Sequence, residues 1–400
     1  MKLNLFFLVT LLICNSLYSR ARDLGIPLPG QPGKLNALTD IQGVEVGHVT
    51  LNTGDGPLIV GKGPIRTGVT AIFPKGKINE PVPAAWFSLN GNGELTGTAW
   101  IEESGFLDGP IVLTNTSSVG IARDAVQLWA LTHLTSQKTE DDPASLPVVG
   151  ETWDGRLNDT RGQHVSKDHV FQALNNAKAG SVPEGNVGGG TGMVSFGYKS
   201  GIGTSSRKIK IGKDTFVLGA LVQSNFGQRE ELTVAGINIA GKFKDPIPKL
   251  NLQSKKDGSI IVVIGTDAPL LAHQLKRLTK RVPMGIAKVG GIAHDSSGDL
   301  FLAFSTQAPS QKKGKWIFEA LPNAEMNELF PFSTQAPSQK KGKWIFEALP
   351  NAEMNELFHA TIEATEEAIL NALVAAETMT GINGNRIDAI SHQKLKELFK

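Results

Sequence analysis

Asp257-Gly258-Ser259-Ile260-Ile261-Val262-Val263-Ile264 turns from polar to wholly apolar within two residues. The stretch before it, Gly241 to Gly258, is rich in lysine and carries Pro246 and Pro248, so it reads as an exposed loop. The run that follows is β-branched and uninterrupted, the pattern of a strand buried on both faces. A serine therefore stands at the first position of a core strand, behind a glycine. With no side chain on Gly258, the Ser259 hydroxyl can approach the preceding carbonyl closely. Attack there would give an ester by an N-to-O shift, and water would then divide the chain. The new α-amine would sit on the same residue as the hydroxyl. Such an amine has a pKa of about 7.7–8.0, so it can act as general base for its own hydroxyl. By itself Gly-Ser before a strand is usually just a turn.

Outward from this point, Phe216–Gln223 is an apolar strand that ends just before Asn225. A side-chain amide at a strand end can donate to a developing oxyanion, although on sequence alone it is more often a turn residue. Downstream, Pro269 is expected to open a helix with Leu271, Leu275, Leu278 and Val282 inward. Its outward Lys276, Arg277, Lys280 and Arg281 form a solvated face. Ser297-Gly-Asp299 precedes a strand at Phe301–Phe304. A hydroxyl and a carboxylate two residues apart share a face in extended chain and could hold Ser259 and its amine; by pattern alone, a turn capped by Asp299 is the favoured reading.

Further out, Val44–Leu51, Gly68–Phe73 and Pro110–Thr114 read as short strands. Helices are expected over Gly120–Leu134, Ser166–Ala179 and His359–Thr380, the last closed by Gly381. Strands and helices alternate in both halves, which indicates a layered α/β architecture. Gly185 to Met193 is the densest glycine stretch, but it matches neither Gly-x-Gly-x-x-Gly nor a Gly-Lys-Ser/Thr loop, so it reads as a close-packed turn and not a nucleotide cradle.

The chain has 400 residues, 40% of them hydrophobic, and a formal charge of +2 from 40 basic and 38 acidic side chains. That balance gives no electrostatic footprint for nucleic acid or a membrane surface. The eight histidines are scattered, with no His-x-x-x-His pair for a metallopeptidase helix; no metal or cofactor is expected. The first 21 residues differ from the rest. Lys2 is followed by a nearly continuous apolar run from Leu3 to Cys14, then by Ser19 and Ala21 as small residues at a cleavage point. This is the pattern of a secretory signal, too short to span a membrane, against the competing reading of a first strand or helix. Cys14, the single cysteine, lies in the removable part, so a periplasmic or secreted protein without disulfides is expected. Leu-Leu-Ile before Cys14 lacks the small residues of a lipidation site. Finally, Phe304–Phe330 recurs unchanged as Phe332–Phe358, with Pro331 between. Repeat folds diverge and need three or more units, so one copy of this perfect tandem pair is expected to be surplus to the fold.

The chain resembles the self-processing serine aminopeptidases, the group that includes the L-aminopeptidase/D-amidase/esterase and the β-peptidyl aminopeptidases. The resemblance runs from about Arg22 to the C-terminal helix. It is carried by Asp40-Ile-Gln-Gly-Val-Glu-Val-Gly-His48, Arg66-Thr-Gly-Val-Thr-Ala-Ile72, Leu113-Thr-Asn-Thr116, Val148-Val-Gly-Glu-Thr152, Gly188-Gly-Gly-Thr-Gly-Met193, Val222-Gln-Ser-Asn225, Asp257-Gly-Ser-Ile-Ile-Val262 and Thr266-Asp-Ala-Pro-Leu270. The resemblance implies a four-layer αββα sandwich, similar to N-terminal nucleophile hydrolases but differently connected. It implies cleavage between Gly258 and Ser259, with residues 1–21 as signal, 22–258 as one subunit and 259–400 as the other. Ser259 would be the nucleophile, Ser297 and Asp299 its hydrogen-bonding partners, Asn225 the oxyanion amide and Glu151 the carboxylate that receives the substrate's free amine. Substrates would be short peptides, amides or esters with a free amine, and the αβ heterodimers would assemble further. Three departures stand out, one of them the tandem pair, which directly follows the strand after Asp299 and could disturb packing near the site. Trp153 occupies a position where the family commonly has a tyrosine, and Asp299 one where some members have glutamate. The competing expectation is a processed but inactive or acyl-transferring relative, acting as a binding protein or a transferase.

Overall fold

The computed structural model describes residues 19–78, 80–134, 146–248, 258–307 and 348–400. Two sheets carry the fold. The smaller runs β1-β2-β5-β6, where β1 is Glu45–Thr53, β2 Ile65–Phe73, β5 Ile111–Asn115 and β6 Val148–Thr152. The larger runs β4-β3-β14-β13-β10-β9, where β3 is Val82–Gly91, β4 Phe106–Leu107, β9 Ile202–Ile211, β10 Asp214–Asn225, β13 Ser259–Thr266 and β14 Gly298–Ser305. Short ribbons pair β7 (Val194–Ser195) with β8 (Tyr198–Lys199), β11 (Thr233–Val234) with β12 (Ile237–Asn238), and β15 (Met379–Thr380) with β16 (Arg386–Ile387). The helices are α1 (Thr98–Ser104), α2 (Val119–His133), α3 (Lys167–Asn176), α4 (Ala240–Phe243), α5 (Ala272–Thr279), α6 (Val282–Lys288), α7 (Met354–Val374) and α8 (His392–Leu398).

Three apolar layers explain the stacking. Ile260, Val262 and Ile264 of β13 pack with Phe301, Leu275, Leu278, Ile286, Leu357 and Ala364, between the larger sheet and helices α5–α7. Ile261 and Val263 point the other way and join Ile111, Leu113, Val148 and Leu300 between the two sheets. On the far side of the smaller sheet, Val69, Val112 and Val149 meet Ala122, Val126, Trp129 and Leu174 of α2 and α3. This is the αββα sandwich expected from the sequence. The unbroken apolar run Ile260–Ile264 follows from burial on both faces, since each β-branched residue fits one core or the other.

Strand pairing sets up the site. β13 lies antiparallel to β10 and parallel to β14, the latter connection passing through α5 and α6. The register puts Ser259 opposite Asn225 on one side and Gly298 on the other.

Some boundaries differ from expectation. The helix expected from Pro269 is two helices, with Leu271 at the first N-cap and a break at Lys280–Arg281. Pro283 has no N–H to bond back one turn, so the helix restarts there. The long C-terminal helix begins at Met354, where Met354 and Leu357 are fully buried, and it ends at Val374. Gly381 instead follows β15 and donates to the Asn385 carbonyl. The glycine-dense stretch is a buried 3-10 turn at Gly188–Gly190 whose N–H groups bond Thr50 and Thr70 hydroxyls. Of the tandem pair, the first copy from 308 onward and the second up to 347 lie outside the described residues.

At the start of the chain, Arg20 and Ala21 belong to the core. The Ala21 N–H bonds Asn371 at 2.9 Å, and Arg20 donates to the carbonyls of Leu35 and Asn36 and pairs with buried Glu184 at 3.2 Å.

Candidate active site

Ser259 is buried, and among the described residues its Oγ has no hydrogen-bond partner. Buried hydroxyls are rarely left so; Ser118 and Ser200 share the feature, and of these three Ser259 is the one that opens a strand. Gly258 before it has φ +120°, and a methyl group on it would lie 2.0 Å from the Asn225 carbonyl oxygen. Both facts require glycine. The Gly258 carbonyl accepts a hydrogen bond from the Gly298 N–H at 3.4 Å.

Asn225 closes β10 and is fully buried. Its Oδ1 accepts from the Val194 N–H at 3.0 Å and from Arg156 Nη1 at 3.3 Å, which fixes the amide so that Nδ2 donates, at 2.9 Å, to the Trp153 carbonyl. One proton on Nδ2 is used in that bond; an amide nitrogen carries two. Trp153 itself is half-buried, with the Arg156 guanidinium 5.5 Å from its ring centroid. The turn that holds both is anchored by Asp154, buried and bonded to Asn115 and Asn158 at 2.9 and 3.0 Å.

Ser297 and Asp299 straddle Gly298, the register partner of Ser259. The Ser297 hydroxyl donates to Asp299 Oδ1 at 2.8 Å, and the Ile260 N–H also bonds this carboxylate, whose Oδ2 has no partner among the described residues. Burial pushes the Asp299 carboxyl up to about 6, against the opposing effects of the Ser297 bond and nearby His294. The pair thus bonds internally and not to the Ser259 hydroxyl while Gly258 and Ser259 remain joined.

Glu151 comes from the other sheet. It lies on β6, where its carboxylate accepts from the Glu94 N–H at 3.1 Å and from the Thr116 hydroxyl. Desolvation raises its pKa, with the Thr116 bond working against it. A methyl group on Gly93 would be 3.2 Å from Glu151 Oε1 and 3.3 Å from the Gly298 Cα. Glu151 and the Gly298 backbone thus approach Gly93 from two sides, with little room between them for a larger side chain. An orphan serine hydroxyl, an oriented amide, a carboxylate near neutrality and a second buried carboxylate from the opposite sheet meet at one end of the sandwich. Together they can attack a carbonyl, move a proton and bind an ammonium.

The chain matches the family model "Peptidase family S58" over residues 36–387. The chain belongs to peptidase family S58. It is 45% identical to the β-peptidyl aminopeptidase BapA of Sphingosinicella microcystinivorans, with 95% of this chain and 92% of that one covered. Among solved structures, the Burkholderia sp. β-aminopeptidase is 42% identical with a TM-score of 0.79, covering 95% of this chain and 98% of that one. The L-aminopeptidase D-Ala-esterase/amidase of Ochrobactrum anthropi is 40% identical with a TM-score of 0.81, covering 94% and 96%, and is described as a variant of the Ntn hydrolase fold.

Within the S58 frame, all the residues singled out in the sequence fall at this end of the two sheets. Sequence reasoning missed Thr116 as the partner of Glu151 and Val194 and Arg156 as the groups that set the Asn225 amide. Thr116 lay in the quoted Leu113–Thr116 motif, whereas the others depend on loop packing with no local signal. It also missed the Gly298 N–H, because a backbone donor leaves no side-chain signature.

Proposed function

We propose that this S58 peptidase is a self-processing serine aminopeptidase, cutting itself between Gly258 and Ser259 and then releasing N-terminal residues from short peptides, amides or esters. The observation that carries this reading is the unpartnered, buried Ser259 hydroxyl at the start of β13, directly behind a glycine held at φ +120°. In turnover, the freed Ser259 amine would take the hydroxyl proton as the oxygen attacks the substrate carbonyl. Asn225 would donate to the oxyanion, Glu151 would receive the substrate ammonium, and Ser297 with Asp299 would hold the nucleophile. Water would then hydrolyse the acyl-enzyme. The names of the S58 relatives cover both β-peptidyl and L-/D-alanyl chemistry, and the site is proposed to accept the free amine common to them.

The two resulting chains are proposed to stay together as a heterodimer and to assemble into larger homo-oligomers. Export by the N-terminal signal is proposed as well; in place of the expected signal of residues 1–21, removal is proposed before Arg20, because Arg20 and Ala21 are hydrogen-bonded to the fold. Release of ammonia or p-nitroaniline from β-alanyl, D-alanyl and L-alanyl derivatives, beside their N-acetylated forms, tests the reading. Activity on free-amine substrates that vanishes in Ser259→Ala supports it. Equal activity on acetylated substrates would overturn it.

A further inference from the structure

The carbonyl that self-cleavage must attack already has a hydrogen-bond donor, and that donor is not Asn225. The Gly258 carbonyl accepts from the Gly298 N–H at 3.4 Å. In a strand the carbonyls lie in the plane of the sheet, and here this one is directed at β14. Asn225 belongs to β10, the neighbour on the opposite side of β13. One proton of its amide goes to the Trp153 carbonyl, and the group is held in that orientation through Val194 and Arg156. The Asn225 backbone, in turn, packs against the Gly258 Cα, since a methyl group there would meet its carbonyl oxygen at 2.0 Å.

We infer that the Gly298 N–H is the oxyanion donor of the self-cleavage step, and that Asn225 serves only the later turnover of substrates. The inference rests on the self-processing reading above. When Ser259 Oγ bonds to the Gly258 carbon, the carbonyl π pair moves onto the Gly258 oxygen, 3.4 Å from the Gly298 nitrogen. Hydrogen bonds to an anionic oxygen shorten to about 2.7–2.9 Å, and ground-state contacts of this kind are commonly long. A small closure of β13 on β14 is therefore enough. Collapse of the intermediate breaks the bond from carbon to the Ser259 nitrogen, and the hydroxyl proton ends on that nitrogen. One water then converts the ester to the Gly258 carboxylate and restores the hydroxyl. In turnover the acyl carbon arrives from outside the strand, after Gly258 has left, so its oxygen need not point at β14. That frees the roles to separate: the first carbonyl is oriented by the strand, the second by the substrate.

The test uses the full-length chain in two arms. Asn225→Ala, checked by circular dichroism for a native fold, should self-cleave within about threefold of the wild-type rate while its peptidase activity falls about 10²–10³-fold. In the second arm, glycolic acid is incorporated at position 298, replacing the N–H by an ester oxygen without added bulk. This should slow self-cleavage by about 10²–10³-fold. An uncut but folded Asn225→Ala chain, or an ester variant that cuts at the wild-type rate, would overturn the inference and leave self-processing intact. A wild-type chain that never cuts would instead overturn the reading on which it rests.

Discussion

Glu151→Gln keeps the shape of a buried side chain and removes its charge, so it separates the amine-binding role from packing. Glu151 is 4% exposed, and salt therefore screens it little. A hydrogen bond to a charged group contributes about 1.5–3 kcal/mol, which corresponds to a roughly 10- to 150-fold loss in kcat/KM on free-amine substrates. An exposed ion pair would be worth at most about 1 kcal/mol, so the size of the loss reports the burial. Because the ammonium is held in ground and transition states alike, most of the loss should appear in KM. Stability should move the other way. Burial raises the Glu151 pKa above its unfolded value, so the wild type is most stable below the unfolded pKa and loses stability as pH rises through the folded one. The glutamine variant has no such loss and should melt at or above the wild-type temperature at neutral pH. Steady-state kinetics with β-alanyl amides and thermal melting supply the two readings. An unchanged KM with a lowered melting temperature would show that Glu151 is structural and refute the argument.

Other outcomes follow from the same geometry. Asp299, pushed up to about 6 by burial, holds the nucleophile in the proposed turnover, so kcat/KM should show an acid limb near pH 6; His294→Ala removes a favourable charge and should move that limb upward. Arg20→Ala leaves buried Glu184 without its cation; burial already pushes that carboxyl up to about 7, so the loss in denaturant unfolding should be small at about pH 6, where the carboxyl is protonated, and grow toward about pH 8, and Glu184→Gln should remove that pH dependence. Deleting Pro331–Phe358 joins Phe330 to His359. Identical residues then replace Leu349, Asn351, Met354, Leu357 and Phe358, which now dock on α5 and α6 through the Leu349 N–H, Gln274 and Arg277. The connection from Gln307 to Ala348 becomes shorter, so stability in calorimetry should hold or rise by up to about 1 kcal/mol. A large loss would show that both copies belong to the core.

Much of the architecture was legible because burial on two faces writes a continuous apolar run, as at Ile260–Ile264, and a helix on one face writes a 3.6-residue period, as at Ala122, Val126 and Trp129. The helix breaks at Lys280 and Val374 were not legible from periodicity, since apolar spacing continues across them and only Pro283 and the docking of β15 interrupt the chain. Within the site, Ser259 was visible because a glycine and a polar loop precede a core strand. Glu151 carries no such mark. It sits in a buried strand of the opposite sheet, and only the resemblance to known motifs pointed to it. Its neighbours Thr116 and Glu94, and the grip of Val194 and Arg156 on Asn225, arise from contacts between segments far apart in sequence.

The central claim is that Ser259 is both a cleavage point and a nucleophile. Intact-mass spectrometry of the purified protein, with N-terminal sequencing of the smaller chain, measures the first half directly. Two chains are predicted, one ending at Gly258 and one beginning at Ser259, with a single uncut chain in Ser259→Ala. A wild-type protein of one uncut mass, or a smaller chain that begins at any other residue, would contradict the account.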